Sequence, residues 1–455
     1  MYDIAIIGSG PGGYVAAIKA VKLGMKVAII EKGDIGGVCL NRGCIPTKAM
    51  IASAHILENI NRAAQFGIEA GAAKADMKKI QERKQTIVGN LRKGIEQLLK
   101  ANKIELIKGD ARFTAPSKIE VNGSEIDAKN ILIAAGSVWA ELPGFKVDGE
   151  KIITSDHALD MTELPQEMII LGGGVIGCEF ACMLNAFGVK VTIVEAMDSI
   201  LPLIEKSVTR LLARSMKKSG IELKTKTTID EVSVDNDKVI AKLSSGETLE
   251  ADKLMVSIGR KPNPKMLNVK AADIELTERK FIKVNEDFKT SCDGVYAIGD
   301  IIGGWMLAHE ASAEAISCVS KIAGHHDDLP DLQTMPSPIF TMPEIGSVGM
   351  TEEQIKEKGI DYVTGRFPYL ASGKALCDGE TEGQAIIFAD KESGKLLGIH
   401  IFGKDATSLL SEATLAVSNG LTARDIEKTI HAHPTLNETL AEAAADVYGA
   451  AIHKL

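Results

Sequence analysis

The chain has 455 residues, a net charge of −9, 45% apolar and 25% charged residues, the profile of a globular protein of about three domains. An acidic balance with no Lys/Arg-rich run excludes a broad basic face for nucleic acid. No apolar run reaches the ~18 residues of a membrane-spanning helix, so no membrane partner is expected.

Met1-Tyr2-Asp3 leads directly into a strand pattern, with no basic n-region or cleavage site, and a cytoplasmic location is expected. Asp3 to Ile7 is a short apolar run suited to a strand buried on both faces. Gly8, Gly10 and Gly13 follow as G-x-G-x-x-G, then a helix from Tyr14 and a second strand ending in Glu31. Gly8 permits the tight turn, Gly10 lets the backbone approach a pyrophosphate, and Gly13 lets helix and strand pack closely. Glu31 stands where a carboxylate can accept the hydrogen bonds of a ribose diol. The unit reads as a dinucleotide site.

Cys39 and Cys44 come next, bracketed by glycines and followed by Pro46 and Lys48. Two thiols at this spacing can be a redox pair, metal ligands or core residues. His55 is the one further zinc-type ligand close in sequence, so no metal is assigned. A helix start at this place would lower a thiolate pKa. The seven cysteines, an odd number scattered over the chain, are not a secreted disulfide framework.

From Ile51 to Asn102 the pattern is helical, and the Lys/Arg-rich faces of 79–100 read as solvated surface. Ile131 to Ser137 reads as a buried strand with a small-residue end. The glycine–acid unit then recurs. Gly172, Gly174 and Gly177 follow the strand Glu167–Leu171, a helix runs from Val175, and the strand Lys190–Val194 closes with Glu195. The offset from Gly8 to Gly172 equals that from Glu31 to Glu195, which argues for two separate dinucleotides. Glu195 would repel a 2′-phosphate and no arginine stands at that strand end, so the second site favours NAD over NADP.

Residues 221–243 alternate as strands do, and Val295 to Ile298 is a buried strand delivering Asp300. After Pro336 the character changes, with strand signals over 383–402 and helical ones over 407–419 and 422–428. His431-Ala432-His433-Pro434-Thr435-Leu436-Asn437-Glu438 places an imidazole five residues before a carboxylate that can orient it.

Gly36-Gly37-x-Cys39-Leu40-Asn41-x-Gly43-Cys44-Ile45-Pro46-x-Lys48, taken with both glycine–acid units and His433-Pro434, resembles the flavin disulfide reductase family over essentially the whole chain. Val38 and Arg42 depart from the family's usual residues in that stretch. The resemblance implies an α/β fold of two Rossmann-like dinucleotide-binding domains plus a C-terminal α+β dimerisation domain. Its domains would be 1–145 (FAD, first part), 146–268 (NAD), 269–335 (FAD, second part) and 336–455 (interface), the last a mixed sheet layer with two long helices.

By the same resemblance Cys39 and Cys44 form a redox disulfide against a flavin, Cys39 meeting the substrate and Cys44 facing the ring. Lys48 would lie near the flavin and pair with Glu179. Ala111, Asp300 and Ala308 would contact FAD, and Gly259 would contact NAD. His433, oriented by Glu438, would be the acid–base catalyst reaching a second subunit's disulfide, which makes a homodimer obligatory, and His431 would stand behind it. The implied activity is NAD-dependent oxidation of dihydrolipoyl groups. They would be carried by a lipoyl domain of a 2-oxo acid dehydrogenase complex or by the lipoyl carrier protein of glycine cleavage. A reductase of another disulfide and a non-catalytic lipoyl-binding subunit are the alternatives.

Overall fold

Ile4 and Ile6 point to one side of the first strand, Ala5 and Ile7 to the other, and each pair enters a different apolar cluster. A strand that fills two cores at once must be apolar throughout, which is why Tyr2–Ile7 shows no alternation. The computed structural model describes residues 1–327 and 329–454. They form two units: Met1–Met50, Lys78–Glu141 and Gly259–Leu332 make the first, and Ile51–Met77, Leu142–Ile258 and Gln333–Leu455 the second.

The first unit holds a parallel five-stranded sheet in the order Val295–Ala297, Ala128–Ile133, Tyr2–Ile7, Val27–Glu31, Glu105–Lys108. Helix α1 (Pro11–Lys22) lies on one face beside the helix Ala308–Ile322, and Ala16, Ala17 and Ala20 pack with Ala315, Cys318 and Val319 there. The other face is covered by an antiparallel three-stranded meander over 111–126, whose Phe113, Ile119 and Val121 are buried. Small residues let α1 sit close to the sheet. A Cβ on Gly13 would strike the Gly8 carbonyl, and one on Gly8, at φ +102, would strike that of Ala134. After the second strand come two helices, α2 (Gly37–Arg42) and α3 (Cys44–Asn61), then the long α4 (Met77–Ala101).

The second unit repeats the arrangement. Its parallel sheet runs Glu222–Lys224, Lys190–Val194, Glu167–Leu171, Lys253–Val256, Ile152–Thr154, with the helix Val175–Ala186 after the central strand. A three-stranded antiparallel meander over 229–251 again precedes the fourth strand in sequence. The same unit carries a second sheet in the order Ser337–Ile339, Glu344–Gly349, Leu396–Gly403, Gln384–Asp390, Tyr362–Pro368. This sheet is antiparallel throughout, not mixed: each neighbouring pair of strands runs in opposite directions. The helices Ala406–Ser418 and Glu438–Asp446 add Leu409, Leu410, Leu440 and Ala443 to the core over Ile387, Ile399 and Ile401. The sequence reading contained no helix at 438–446. Its place rests on Gly365, where a Cβ would strike the Ala443 carbonyl.

Candidate active site

Cys39 is the third residue of α2 and Cys44 the first of α3, so the chain must turn back on itself between two short helical starts. Glycine makes the turn possible. A Cβ on Gly43 would lie 3.0 Å from the Val38 carbonyl and 3.2 Å from Cys39 Cα, and Gly36 and Gly37 hold φ of +98 and +63. The result is a side-chain hydrogen bond between Cys39 and Cys44, the proximity that thiol–disulfide exchange within a pair requires. That hydrogen bond, burial and the charge of Cys44 push the Cys39 pKa far up, with a backbone hydrogen bond from Cys44 and then Lys48 pulling the other way. The depressed thiolate expected from a helix start is therefore not found at Cys39: sharing a proton with a neighbouring sulfur outweighs a weak helix-end field.

The basic face of α4 reads as solvated, yet Lys84 is buried at 2% exposure and two arginines spend their donors on protein acceptors. Arg83 donates to the Ala49 carbonyl at 2.8 Å. Arg92 donates to Asn41 Oδ1 at 2.7 and 3.1 Å. Both reach into the segment that carries the thiols.

The two glycine–acid units have matching geometry. Glu31 accepts from the Ser9 amide at 2.9 Å and hydroxyl at 2.6 Å, and from the Gly33 amide at 2.7 Å. Glu195 accepts from the Gly173 amide at 2.6 Å and the Met197 amide at 2.7 Å. Each acid thus braces the glycine turn before its helix. A Cβ on Gly172 or Gly177 would meet backbone, whereas one on Gly174 meets nothing within 4 Å, and one on Gly10 meets only Gly37 Cα at 3.8 Å. Room beside the second glycine and contact at the first and third is the cradle a dinucleotide pyrophosphate needs. Both sites fit their nucleotides.

Asp300 sits in a short 3-10 turn after its strand. It accepts from Ser137 Oγ at 2.5 Å, and Ser137 Oγ in turn accepts from Arg260 Nε at 2.7 Å. Behind the turn Glu314 accepts from the Gly299 amide at 2.6 Å. Burial lifts the Glu314 pKa to about 7; the amide opposes, and Glu310 and Asp300 add to the rise. Ala111 opens a strand and is buried, Ala308 opens the helix after Asp300, and Gly259, at φ +111, accepts from the Ala140 amide at 2.9 Å. Ser137 and Glu314 carry no sequence signal beyond polar residues at a strand end and on a buried helix face.

In the second unit Glu179 is buried at 4% exposure and accepts from the Phe340 amide at 3.0 Å. Lys48 belongs to the first unit. His433 Nδ1 lies 2.8 Å from Glu438 Oε1, and the other carboxylate oxygen accepts from the Thr435 amide at 2.9 Å. Burial raises the Glu438 pKa, but the Thr435 amide and His433 outweigh it and the group ends below its ordinary value. A carboxylate can only accept, so Nδ1 carries the proton and Nε2 is the nitrogen able to take another. The His433 side chain is 78% exposed.

His431 differs. Its Nδ1 faces the Thr429 carbonyl and its Nε2 faces Glu412 Oε1, both at 2.8 Å, and Asn437 donates to the other Glu412 oxygen at 2.6 Å. Two acceptors require two N–H donors, the imidazolium form. Glu412 accordingly raises the His431 pKa against the effect of burial. Among the described residues no group of three or more His, Cys, Asp and Glu could hold a metal ion, and no helix is long and apolar enough to cross a membrane.

Residues 2–315 match the pyridine nucleotide-disulphide oxidoreductase family, and residues 335–444 match its dimerisation domain. The chain belongs to the pyridine nucleotide-disulphide oxidoreductase family. Within it, the chain is 43% identical to a dihydrolipoyl dehydrogenase of Bacillus subtilis (strain 168), covering 99% of each. It is 40% identical to the mitochondrial dihydrolipoyl dehydrogenase 2 of Arabidopsis thaliana over 99% of this chain and 91% of the relative. Among solved structures, LpdA from Mycobacterium tuberculosis superposes with a TM-score of 0.91 at 27% identity, over 97% of this chain and 98% of that one.

Proposed function

We propose that the protein oxidises protein-bound dihydrolipoyl groups to lipoyl with NAD, using FAD and the Cys39–Cys44 pair, as a dihydrolipoyl dehydrogenase does. The observation that carries this reading is the hydrogen bond between the two thiols, set beside two dinucleotide cradles. FAD held at the first cradle would supply two-electron transfer between the reduced thiols and NAD held at the second.

The chain's own groups do the rest. His433, held by Glu438, takes a proton from the substrate dithiol. The substrate thiolate attacks Cys39 Sγ, forming a mixed disulfide, and Cys44 leaves with the electron pair of the broken S–S bond. The second substrate thiol closes the lipoyl ring and releases Cys39 reduced. Lys48 and Glu179 would tune charge near the flavin, Asp300 would hold its ribityl chain with Ala111 and Ala308 alongside, and Gly259 would meet NAD. The dimerisation domain makes the protein a homodimer. A His433 exposed in its own chain is suited to serve the partner's thiols.

The domain limits follow the same reading: FAD over 1–145 and 269–335, NAD over 146–268, interface over 336–455. The substrate arm is a lipoyl domain of a 2-oxo acid dehydrogenase complex or the lipoyl carrier of glycine cleavage, met in the cytoplasm. NADH formation from dihydrolipoamide and NAD tests the function. Turnover of glutathione disulfide with NADPH and none of dihydrolipoamide would overturn it.

A further inference from the structure

We infer that Arg92 is a positioning residue for the thiol pair: from α4 it fixes the helix that carries Cys39 and so sets the exchange between Cys39 and Cys44. The inference rests on the reading of these two cysteines as the exchanging pair. Helix α2 has six residues, starts at two glycines in the left-handed region and ends at a third. So short a helix has little stability of its own, and glycine lowers it further. Something outside the helix must hold it.

Asn41, two residues after Cys39 and three before Cys44, does so with both ends of its amide. Nδ2 donates to the Gly37 carbonyl at 2.8 Å and the Ile35 carbonyl at 3.0 Å, with a longer contact of 3.4 Å to that of Asp34. Oδ1 receives two N–H groups of the Arg92 guanidinium, which also pairs with Asp34 at 3.0 Å. The guanidinium is half-buried, and hydrogen bonds from a charged donor are roughly twice as strong as neutral ones. Its own helix is held by apolar packing: α4 is 25 residues long and buries Val88 and Leu99. A long helix thus clamps a short one through the Arg92–Asn41 pair.

The chemistry makes that clamp matter. Each turnover opens the Cys39–Cys44 bond with two electrons and two protons from the substrate dithiol and must close it again as the pair is reoxidised. Closure needs the two Cα atoms within a window of about 4.4–6.8 Å, and α2 supplies one of them.

The test uses the flavin-loaded dimer, parent and variants. Arg92→Met keeps the stem and removes the donors; Arg92→Lys keeps the charge without the fork. Three readouts are taken: dihydrolipoamide turnover, NADH-driven dye reduction that draws electrons from the flavin without the thiols, and iodoacetamide alkylation of Cys39 in the reduced protein. Arg92→Met is expected to lose dihydrolipoamide kcat by roughly tenfold to hundredfold, the range for a lost hydrogen bond to a charged group. It should keep dye reduction, and Cys39 should be alkylated faster. Arg92→Lys should regain part of the kcat.

Unchanged kcat and alkylation in Arg92→Met would overturn the inference. Should Arg92→Met fail to fold, Arg92→Lys decides: a folded Arg92→Lys with parental kcat and alkylation overturns it. A parent without dihydrolipoamide turnover would sink the proposed function instead, and the alkylation rates would still judge Arg92.

Discussion

Cys39 is held as a thiol by its neighbour, with a pKa pushed far above the ordinary value by the hydrogen bond to Cys44 and by burial. A lone nucleophile would be useless in that state. A thiol pair works because the substrate arrives while the pair is a disulfide, which a substrate thiolate can open whatever the pKa of the free Cys39 thiol. Cys39→Ser is therefore expected to reduce dihydrolipoamide turnover to background while leaving NADH-driven dye reduction intact. His433→Gln should cost about 10²- to 10⁴-fold in the same turnover, the usual contribution of a general base, with dye reduction again unaffected. Parental dihydrolipoamide turnover in either variant would remove that residue from the mechanism.

The turn bearing His433 lies between the helices Ala423–Lys428 and Glu438–Asp446 and is tied to a third, Ala406–Ser418, by the His431–Glu412 pair. Linkage gives this tie a pH signature. His431 has a raised pKa, so its contribution is complete below the ordinary 6.5 and is lost as pH rises through the folded value. For Glu412, burial raises the pKa but His431 and Asn437 lower it further, so its contribution is complete above the ordinary 4.5 and is lost as pH falls through the folded value. Between pH 4.5 and 6.5 the pair is at full strength. Denaturant melts of parent and Glu412→Gln should differ most in that window and converge on the alkaline side. A difference that is constant with pH would contradict the charged pair.

The glycine turns offer a second contrast. A Cβ at Gly177 would strike the Gly172 carbonyl. Gly177→Ala should thus destabilise the fold by about 1–3 kcal/mol, the cost of overpacking. Gly174→Ala meets no protein atom and should melt like the parent, yet bind NAD more weakly by calorimetry, since the new methyl occupies the phosphate's space.

A duplicated nucleotide-binding architecture and an antiparallel interface sheet are joined in one chain, and the pairing of two chains completes the chemistry in the proposed function. An isologous dimer has two equivalent sites. If each takes its thiols from one subunit and its imidazole from the other, a heterodimer of Cys39→Ser and His433→Gln contains one doubly damaged site and one intact site. Refolding the two inactive variants together should then restore about a quarter of parental turnover by random assortment. No recovery in verified heterodimers would place each active site within a single chain.

Local geometry made much of this protein readable without coordinates. The glycine–acid units are short stretches in which turn, pyrophosphate and helix packing all demand glycine, and the five-residue spacing lets Glu438 reach His433 across one turn. The parallel strands declared themselves through apolar runs, whereas the nine-residue helix at 438–446, rich in small and acidic residues, did not. Contacts between distant stretches were out of reach. Arg92 and Asn41 are 51 residues apart, Ser137 and Asp300 are 163, and Glu179 meets Phe340 across 161. A linear pattern specifies which residues can donate, accept or turn. Which of them meet is settled by how sheets and helices stack, because a hydrogen bond depends on separation in space and is blind to separation along the chain.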